Sequence, residues 1–561
     1  MIIKQVSSTF SVSDQLMPDD VDALAAAGVR TLVCNRPDGE AAGQPTFAAV
    51  SERAAQLGIS MRYLPVVHDT INSEDVRKFT VDLQTAGANP VHAWCRSGLR
   101  SITLWSLSQL QQGGDADALV TQANTLGFDF AGFKQKFADV IAELNDSLLK
   151  LPLERHCPLL IIGAGAAGIA LAASLLRREG TLKITLVDPA DTHYYQPGFT
   201  LVGAGEFNAS EVKRPMGRLI PRGVTWLQTA VTHFLPQRNE VVLSNGTRIG
   251  YDRLCVCPGL KLNWAAIPGL IDTLGKNGVT SNYRHDLAPY TWQLVQQLRK
   301  GRALFTQPPM PIKCAGAPQK ALYLSADHWL RSGVLQDIQV GFYNAGGALF
   351  GIKDYVPALQ KYIERYHASL HFGHTLVKVD GPGKVATFAT TDKDGKAATV
   401  DVAFDLLHVV PPQCAPDVIR NSPLADRAGW VDVDKFTLRH NQYSNVWGLG
   451  DCMNAPNAKT AAAARKQVVV VADNIVHDIR NEQTQTRYAG YGACPLTVER
   501  GRVVLAEFGY DGVLQPSLPT ALLEGRKPTW LGWVLKKNFM PWIYWQLMLK
   551  GREWLAGSKQ E

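Results

Sequence analysis

The stretch LLIIGAGAAGIALAASLL sets Gly163, Gly165 and Gly168 in GxGxxG spacing between an apolar run and an alanine-rich one. Each glycine has a mechanical job. The first permits a tight turn out of a strand, the second lets backbone approach a pyrophosphate at a helix N-terminus, and the third lets helix and strand pack closely. Ala164 fills the turn between the first two, and Asp188, in ITLVDP, follows at the distance where an acidic side chain meets ribose hydroxyls. The segment predicts a βαβ dinucleotide-binding unit starting near residue 158, and hence an α/β fold.

That unit cannot account for the whole chain, because 561 residues exceed what one hydrophobic core usually supports. Residues 1–148 read as a separate compact α/β domain, with an amphipathic helix in PDDVDALAAAG and a strand in VRTLVCN that leads into a turn at Arg36-Pro37-Asp38-Gly39. The segment 149–158 reads as a linker. Residues 158–512 form the second region, and 513–561 a tail dense in Trp, Lys and Met. With 46% hydrophobic and 19% charged residues, disorder is not the theme.

The formal charge of +7 suits an anionic partner. No nucleic-acid-binding signature accompanies it, and in the tail the basic residues are interleaved with tryptophans, which favours a lipid surface over nucleic acid. The first residues lack a basic segment followed by an apolar core and a cleavage site, so a cytoplasmic location is expected. No run approaches the length of a spanning helix, so any membrane association is expected to be peripheral. Nine cysteines are scattered without CxxC pairs, which argues against zinc and against a disulfide framework; no metal site is expected.

A second segment points to the same ligand as the glycine turn. VWGLGDCMNAP (446–456) resembles the late GD segment of two-dinucleotide flavoproteins, in which the aspartate binds the ribityl chain, and Asp451 occupies that place. Two distant segments thus agree on FAD, with Lys459 completing the expected cofactor-binding set. Flavoproteins fed by NADH carry a second glycine fingerprint after a strand that here would be GRALFTQPP. PMPIKCAGAPQK (309–320) stands there instead, with prolines and a cysteine where backbone N–H groups should cradle phosphates.

From about 158 to 550 the chain resembles the sulfide:quinone oxidoreductases, in particular the branch that includes the mitochondrial enzymes. The shared pieces are HYYQPGFTLVGAG, IKCAGAPQKALYL, LLHVVPP, AGWVDVDK, GLGDCMNAPNAKTAAAA and YGACPLTVERGRVVLAEF. The resemblance implies a cysteine pair flanking the flavin, matched here to Cys314 and Cys452. Hydrosulfide attacking such a pair would leave a persulfide on one cysteine and a thiolate on the other, with two electrons passing to flavin and then to quinone. Lys313 and Lys320 bracket Cys314 with positive charge, and Cys452 precedes an expected helix whose dipole would lower its pKa. Cys255, Cys257 and Cys494 read as packed residues, Cys157 as part of the linker, and Cys414 departs from the family pattern without an assigned role.

The tail, WLGWVLKKNFMPWIYWQLMLKGREWL, sets aromatic side chains beside Lys536, Lys537, Lys550 and Arg552. Rings at headgroup depth with cations on anionic lipid are what an interfacial helix needs, and a membrane-dissolved quinone requires docking.

In the first domain, PVHAWCRSGLRS places Cys95 and Arg100 in a Cys-x4-Arg loop between a strand and a helix, an arrangement that cradles an anion. The domain resembles the family associated with beta-lactamase hydrolase-like proteins, often labelled tyrosine-phosphatase-like. Phosphatases use a longer Cys-x5-Arg loop, whereas rhodaneses resemble the shorter ring, so sulfur transfer is favoured over phosphate hydrolysis. The expected architecture is therefore a phosphatase/rhodanese-like α/β domain, a Rossmann-type flavoprotein and a membrane-facing C-terminal element. The expected activity is oxidation of sulfide by FAD with a quinone acceptor, the sulfane sulfur passing to Cys95 and to a small thiol or sulfite. The alternative is an NADH:quinone or disulfide oxidoreductase carrying a phosphatase domain.

Overall fold

FSVS, TLVC and VHAW are short runs buried along their whole length, at Phe10–Ser13, Thr31–Cys34 and Val91–Trp94. Runs of this kind suit strands covered on both faces. In the computed structural model they form the centre of a five-stranded sheet whose spatial order is Ile3–Ser7, Phe10–Ser13, Val91–Trp94, Thr31–Cys34, Ser60–Tyr63. All but the first strand run parallel. Alternation along the strands decides the faces: Leu32 and Cys34 join Val21, Leu24 and Val50, whereas Val33 joins Phe79, Ile102 and Leu104. Helices therefore cover both sides. The expected helix lies at Asp20–Ala26, and the one after the cysteine loop at Leu99–Gln111. The structure describes residues 1–7, 9–86, 89–111, 116–130, 139, 143, 146, 148–392, 394–554 and 556.

The chain divides into two units, Met1–Pro152 with Asn421–Pro423, and Leu153–Arg420 with Leu424–Glu561. The second unit holds two large sheets, the first mostly parallel with an antiparallel edge at Val231–Leu235 and Glu240–Leu243, the second wholly parallel. In the first, Val224–Leu227, Ile184–Val187, Leu153–Ile162 and Arg248–Val256 run side by side, and Val446–Gly448 adds in parallel to Arg248–Val256. The helix Ala166–Arg178 opens at Gly165 and packs against the long helix Ala461–Ile479. The second sheet has the order Val279–Thr280, Leu406–His408, Gly301–Gln307, Ile338–Asn344, Ser369–Phe372, all parallel. This is the two-domain α/β architecture expected from the glycine turn.

Two boundaries differ from expectation. The strand presumed to follow the linker begins at Leu153 and pairs with Arg248–Val256 from its first residue. Residues 153–156 are exposed, so they lack the apolar pattern that betrays a strand, and backbone pairing alone extends it. The tail 513–561 is not a separate element but belongs to the second unit. Its helical turns run from Trp530 to Lys550, started by Thr529, whose hydroxyl accepts from Gly532 N at 3.1 Å. Trp533 packs with Leu201, Leu324 and Val503, while Tyr544 and Met548 enter the main core.

Of Lys536, Lys537, Lys550 and Arg552, the first two do not face outward freely. Lys536 is buried, and Lys537 pairs with Glu206 at 2.5 Å. Trp530, Phe539, Trp542 and Trp554 stay exposed. Among the described residues no helix is long and apolar enough to cross a membrane.

Candidate functional site

The three glycines of the turn do different things. Gly163 adopts φ 105°, and a Cβ there would stand 2.6 Å from the carbonyl oxygen of Cys257; on Gly168 it would stand 1.8 Å from the carbonyl oxygen of Gly163. Neither position can carry a side chain. At Gly165, by contrast, a Cβ would meet nothing within 4 Å, because this residue lines a cavity of about 460 Å³. Asp188 lines it too, its carboxylate fixed by Ala164 N at 2.6 Å and Ala190 N at 2.8 Å. A bare helix N-terminus, an open cradle and an oriented acid fit a dinucleotide.

Further along the cavity, Gly450 takes φ 79° and its N–H donates to Gln467 Oε1 at 2.8 Å, which brings Asp451 to the wall. Burial pushes the Asp451 carboxyl up, against the pull of Lys459 and Lys313. Lys459 donates to the carbonyls of Asp451 and Met453 at 2.9 and 2.7 Å and lies 4.2 Å from the centre of the Trp430 ring. It acts as a strut beneath Asp451.

Cys314 sits on the same wall, in the left-handed backbone region at φ 48°. Its N–H donates to Lys459 O at 2.8 Å, and Tyr283 OH donates to the carbonyls of Lys313 and Cys314 at 2.9 and 3.3 Å. A non-glycine residue is held in this conformation only by such surroundings. The sulfur 3.9 Å from Cys314 Sγ is that of Cys494. Cys494 reaches it from the strand Gly492–Glu499, through a gap left by Gly316, where a Cβ would stand 2.5 Å from Cys494 Sγ. Lys320, on the helix Ala317–Arg331, places Nζ 3.2 Å from Cys314 Sγ. The hydrogen bond from Cys494, and then the ammonium groups of Lys320 and Lys536, hold the Cys314 thiol well below its ordinary value despite burial. Cys494 is held well above by that same hydrogen bond and by burial. The surroundings thus push the two thiols in opposite directions, favouring charge on Cys314 over Cys494.

Cys452 corrects the expected pairing. Its sulfur is buried, points to the carbonyls of Val256 and Leu449 at 3.3 and 3.5 Å, and does not line the cavity although its neighbour Asp451 does. Burial pushes its thiol up to about 12, opposite to the low value expected beside a helix. In the short turn Gly450–Cys452, adjacent side chains leave in different directions. Lys313 also departs from expectation, since its Nζ donates to Gln196 Oε1 at 2.7 Å while Lys320 alone reaches the sulfur.

The remaining cysteines stand apart from this pair. Cys157 and Cys255 are buried on paired strands. Cys257 packs under the glycine turn, and Cys414 pairs with Lys261 in a two-residue ladder. Sequence reading missed Cys494, whose only signal was its place in the shared segment YGACPLTVERGRVVLAEF, and it missed Lys536. The tail brings Lys536 Nζ to Pro197 O at 2.9 Å, and burial with the nearby Lys320 charge lowers this ammonium to about 7. Tyr544 closes the same region: its hydroxyl donates to His193 Nε2 at 2.7 Å, since His193 Nδ1 donates to Ala164 O at 3.3 Å.

In the N-terminal unit, Cys95 follows the strand Val91–Trp94 and its Sγ accepts from Gly98 N at 3.1 Å. Arg100 is held by groups other than the sulfur. Its guanidinium donates to Val66 O at 3.1 Å and to Glu40 Oε1 at 2.5 Å, and Glu40 Oε2 takes Arg36 Nε at 2.8 Å. Partial burial opposes ionisation of Glu40, but the two guanidiniums hold its carboxyl below the usual range. One loop N–H, that of Gly98, meets the sulfur, and the arginine is paired to a carboxylate. Among the described residues no group of three or more His, Cys, Asp or Glu is placed to hold a metal ion.

Comparison with known proteins agrees with both units. Residues 3–112 match the family described as beta-lactamase hydrolase-like protein, phosphatase-like domain, and residues 158–298 match pyridine nucleotide-disulphide oxidoreductase. The first region is 31% identical over 109 residues to a beta-lactamase hydrolase-like protein of Agrobacterium fabrum, spanning 19% of this chain and 25% of that relative. The solved structure of the sulfide:quinone oxidoreductase from Aquifex aeolicus superposes with a TM-score of 0.60 at 20% identity, covering 72% of this chain and 93% of that one, which supports the fold. The mitochondrial sulfide:quinone oxidoreductase of Mus musculus is 39% identical over 398 residues, or 71% of this chain and 87% of the relative. A mitochondrial relative lends no support to the cytoplasmic location expected from the first residues. With that identity over nearly all of the relative, and with the flavin cofactor that such kinship implies, the chain belongs to the sulfide:quinone oxidoreductase family.

Proposed function

We propose that this chain oxidises sulfide to sulfane sulfur at Cys314 and Cys494, sends the electrons through FAD to a membrane quinone, and passes the sulfur on through Cys95. The observation that carries this reading is the 3.9 Å approach of the two sulfurs beside the Lys320 ammonium. In the oxidised pair the sulfurs are bonded, and hydrosulfide attacks Cys494. The bond to Cys314 breaks, Cys494 keeps the incoming sulfur as a persulfide, and Cys314 leaves as thiolate. The better leaving group is the thiol of lower pKa, and Lys320 and Lys536 make Cys314 that one.

Bound FAD would supply a two-electron acceptor for the sulfur pair and a donor to quinone. A small thiol or sulfite then lifts the outer sulfur from Cys494, and the pair closes again as its two electrons depart. In the N-terminal unit, Gly98 N and the helix start at Leu99 suit a single extra sulfur on Cys95. The exposed Trp530, Phe539, Trp542 and Trp554 suit a headgroup surface, which favours peripheral docking.

Anaerobic titration with sulfide tests the core of this reading. Flavin absorbance is expected to bleach with sulfide and not with NADH, in the wild type and in Cys452→Ser alike, and to fail in Cys314→Ser and Cys494→Ser. Bleaching of Cys494→Ser at the wild-type rate would undo the assignment. Cys95→Ser should bleach normally and lose sulfur delivery to the acceptor; unchanged acceptor kinetics would remove the N-terminal unit from the pathway.

A further inference from the structure

The ribbon formed by Gly492–Glu499 and Arg502–Phe508 has two faces with different surroundings. Cys494 and its cross-strand partner Ala506 lie with the cluster that contains Leu496 and Val504. The neighbouring pair, Ala493 and Glu507, faces the cavity together with Pro495 and Leu505. This part of the same cavity is mostly apolar, and the tail residues Met548 and Trp554 help to enclose it. Glu507 is a carboxylate that the sulfur chemistry does not use. It is 6% exposed, its Oε1 accepts from Tyr491 OH at 2.6 Å, and its Oε2 accepts from Ser517 N at 3.2 Å. Its backbone is pinned by Tyr355 OH, which accepts from Glu507 N at 3.0 Å.

The other charged groups around it come from the helix Ala461–Ile479. Arg465 acts electrostatically on both Glu507 and Tyr491, and Lys466 Nζ lies 5.4 Å from the centre of the Tyr491 ring. Burying an acid on an apolar wall costs stability, which the bonds from Tyr491 and Ser517 N and the charge of Arg465 offset, so the carboxyl is held in place on the cavity wall. Reduction of a quinone to a quinol gives such an acid a use, since it takes two electrons and two protons and the protons must reach oxygen atoms shielded from water.

We propose that Glu507, oriented by Tyr491, protonates the quinone on the face of the ribbon opposite Cys494. This rests on the quinone reading above. The electron pair comes from sulfide by way of the flavin. For each of the two transfers the Glu507 carboxylate first takes a proton from water at the mouth of the cavity and then hands it to a quinone oxygen, so that the residue is again a carboxylate when the quinol is complete.

Full-length holoenzyme reduced with dithionite, then mixed anaerobically with decylubiquinone, isolates this step from sulfide. Reoxidation of Glu507→Gln is expected to be about a hundredfold slower than wild type, with Glu507→Asp recovering part of the rate. Quenching of protein fluorescence by the quinone, which reads binding, should be unchanged. A wild-type rate in Glu507→Gln, a Gln variant faster than the Asp variant, or lost quinone binding would each overturn the proposal. Should Glu507→Gln fail to fold, Tyr491→Phe keeps the ring and the acid but frees the carboxylate: about tenfold slowing is expected, and a wild-type rate overturns it. Because dithionite replaces sulfide, failure of the sulfide reading leaves this result standing, whereas reduced wild type that ignores quinone sinks both.

Discussion

Lys320 Nζ lies 3.2 Å from the sulfur of Cys314, on a lysine that is 2% exposed. Burial works against that ammonium, and the two sulfurs of the pair keep it charged. In a dry surrounding such a charge does far more for a thiolate than it would in water. Lys320→Met should therefore raise the Cys314 thiol toward its ordinary range. Alkylation of reduced protein by iodoacetamide, followed by mass spectrometry at Cys314, is expected to slow about tenfold or more near pH 7, with its pH profile displaced upward. An unmoved profile would mean that Lys320 fills space and does nothing electrostatic.

The gap at Gly316 yields a second expectation. A methyl group there would stand 2.4 Å from Leu496 Cδ2 and 2.5 Å from Cys494 Sγ, so both side chains must move to admit it. Gly316→Ala is expected to cost about 2 kcal/mol, in the range of overpacked cores, and to slow sulfide bleaching by parting the sulfurs. Thermal unfolding and stopped-flow absorbance check the two effects. A destabilised variant with normal bleaching would show that the approach of the two atoms tolerates slack.

His193 makes stability depend on pH. Burial lowers its imidazole from 6.5 to about 4, so between those values the unfolded chain binds a proton that the folded chain refuses. Stability should fall as pH drops from about 6.5 to about 4, by up to about 3 kcal/mol from this residue. His193→Gln should flatten that part of the curve while leaving the slope from His92 and His408, both also lowered to about 4 by burial. Parallel curves for variant and wild type would count against a neutral His193 in the folded state.

The sequence spoke most clearly where chemistry and backbone geometry coincide. Gly163, Gly165 and Gly168 are set by local packing, so their spacing alone predicted the turn, the helix and the position of Asp188. Cys314 was named through the family resemblance, in a segment where prolines and a cysteine replace a phosphate cradle. Cys494 was not legible, because its meeting with Cys314 depends on the register of a ribbon 180 residues downstream and on the missing side chain of Gly316. Cys452 misled for a related reason: Asp451 beside it does reach the cavity, and sequence adjacency does not reveal which of two neighbours turns inward. In the first unit the Cys-x4-Arg spacing predicted the loop, yet nothing local foretold that Glu40 would join Arg36 to Arg100.

Lys536 enters the sulfur site from the last fifty residues of the chain, and Leu535, Met540 and Tyr544 beside it form part of the cavity wall. Peeling that segment away would do two things at once: water would flood the wall, and a positive potential would be withdrawn from Cys314. Anchorage of the segment around Lys536 and the ease with which Cys314 leaves as a thiolate are thereby made a single property, so a molecule with that segment loosened would react poorly with sulfide before it was an unfolded one.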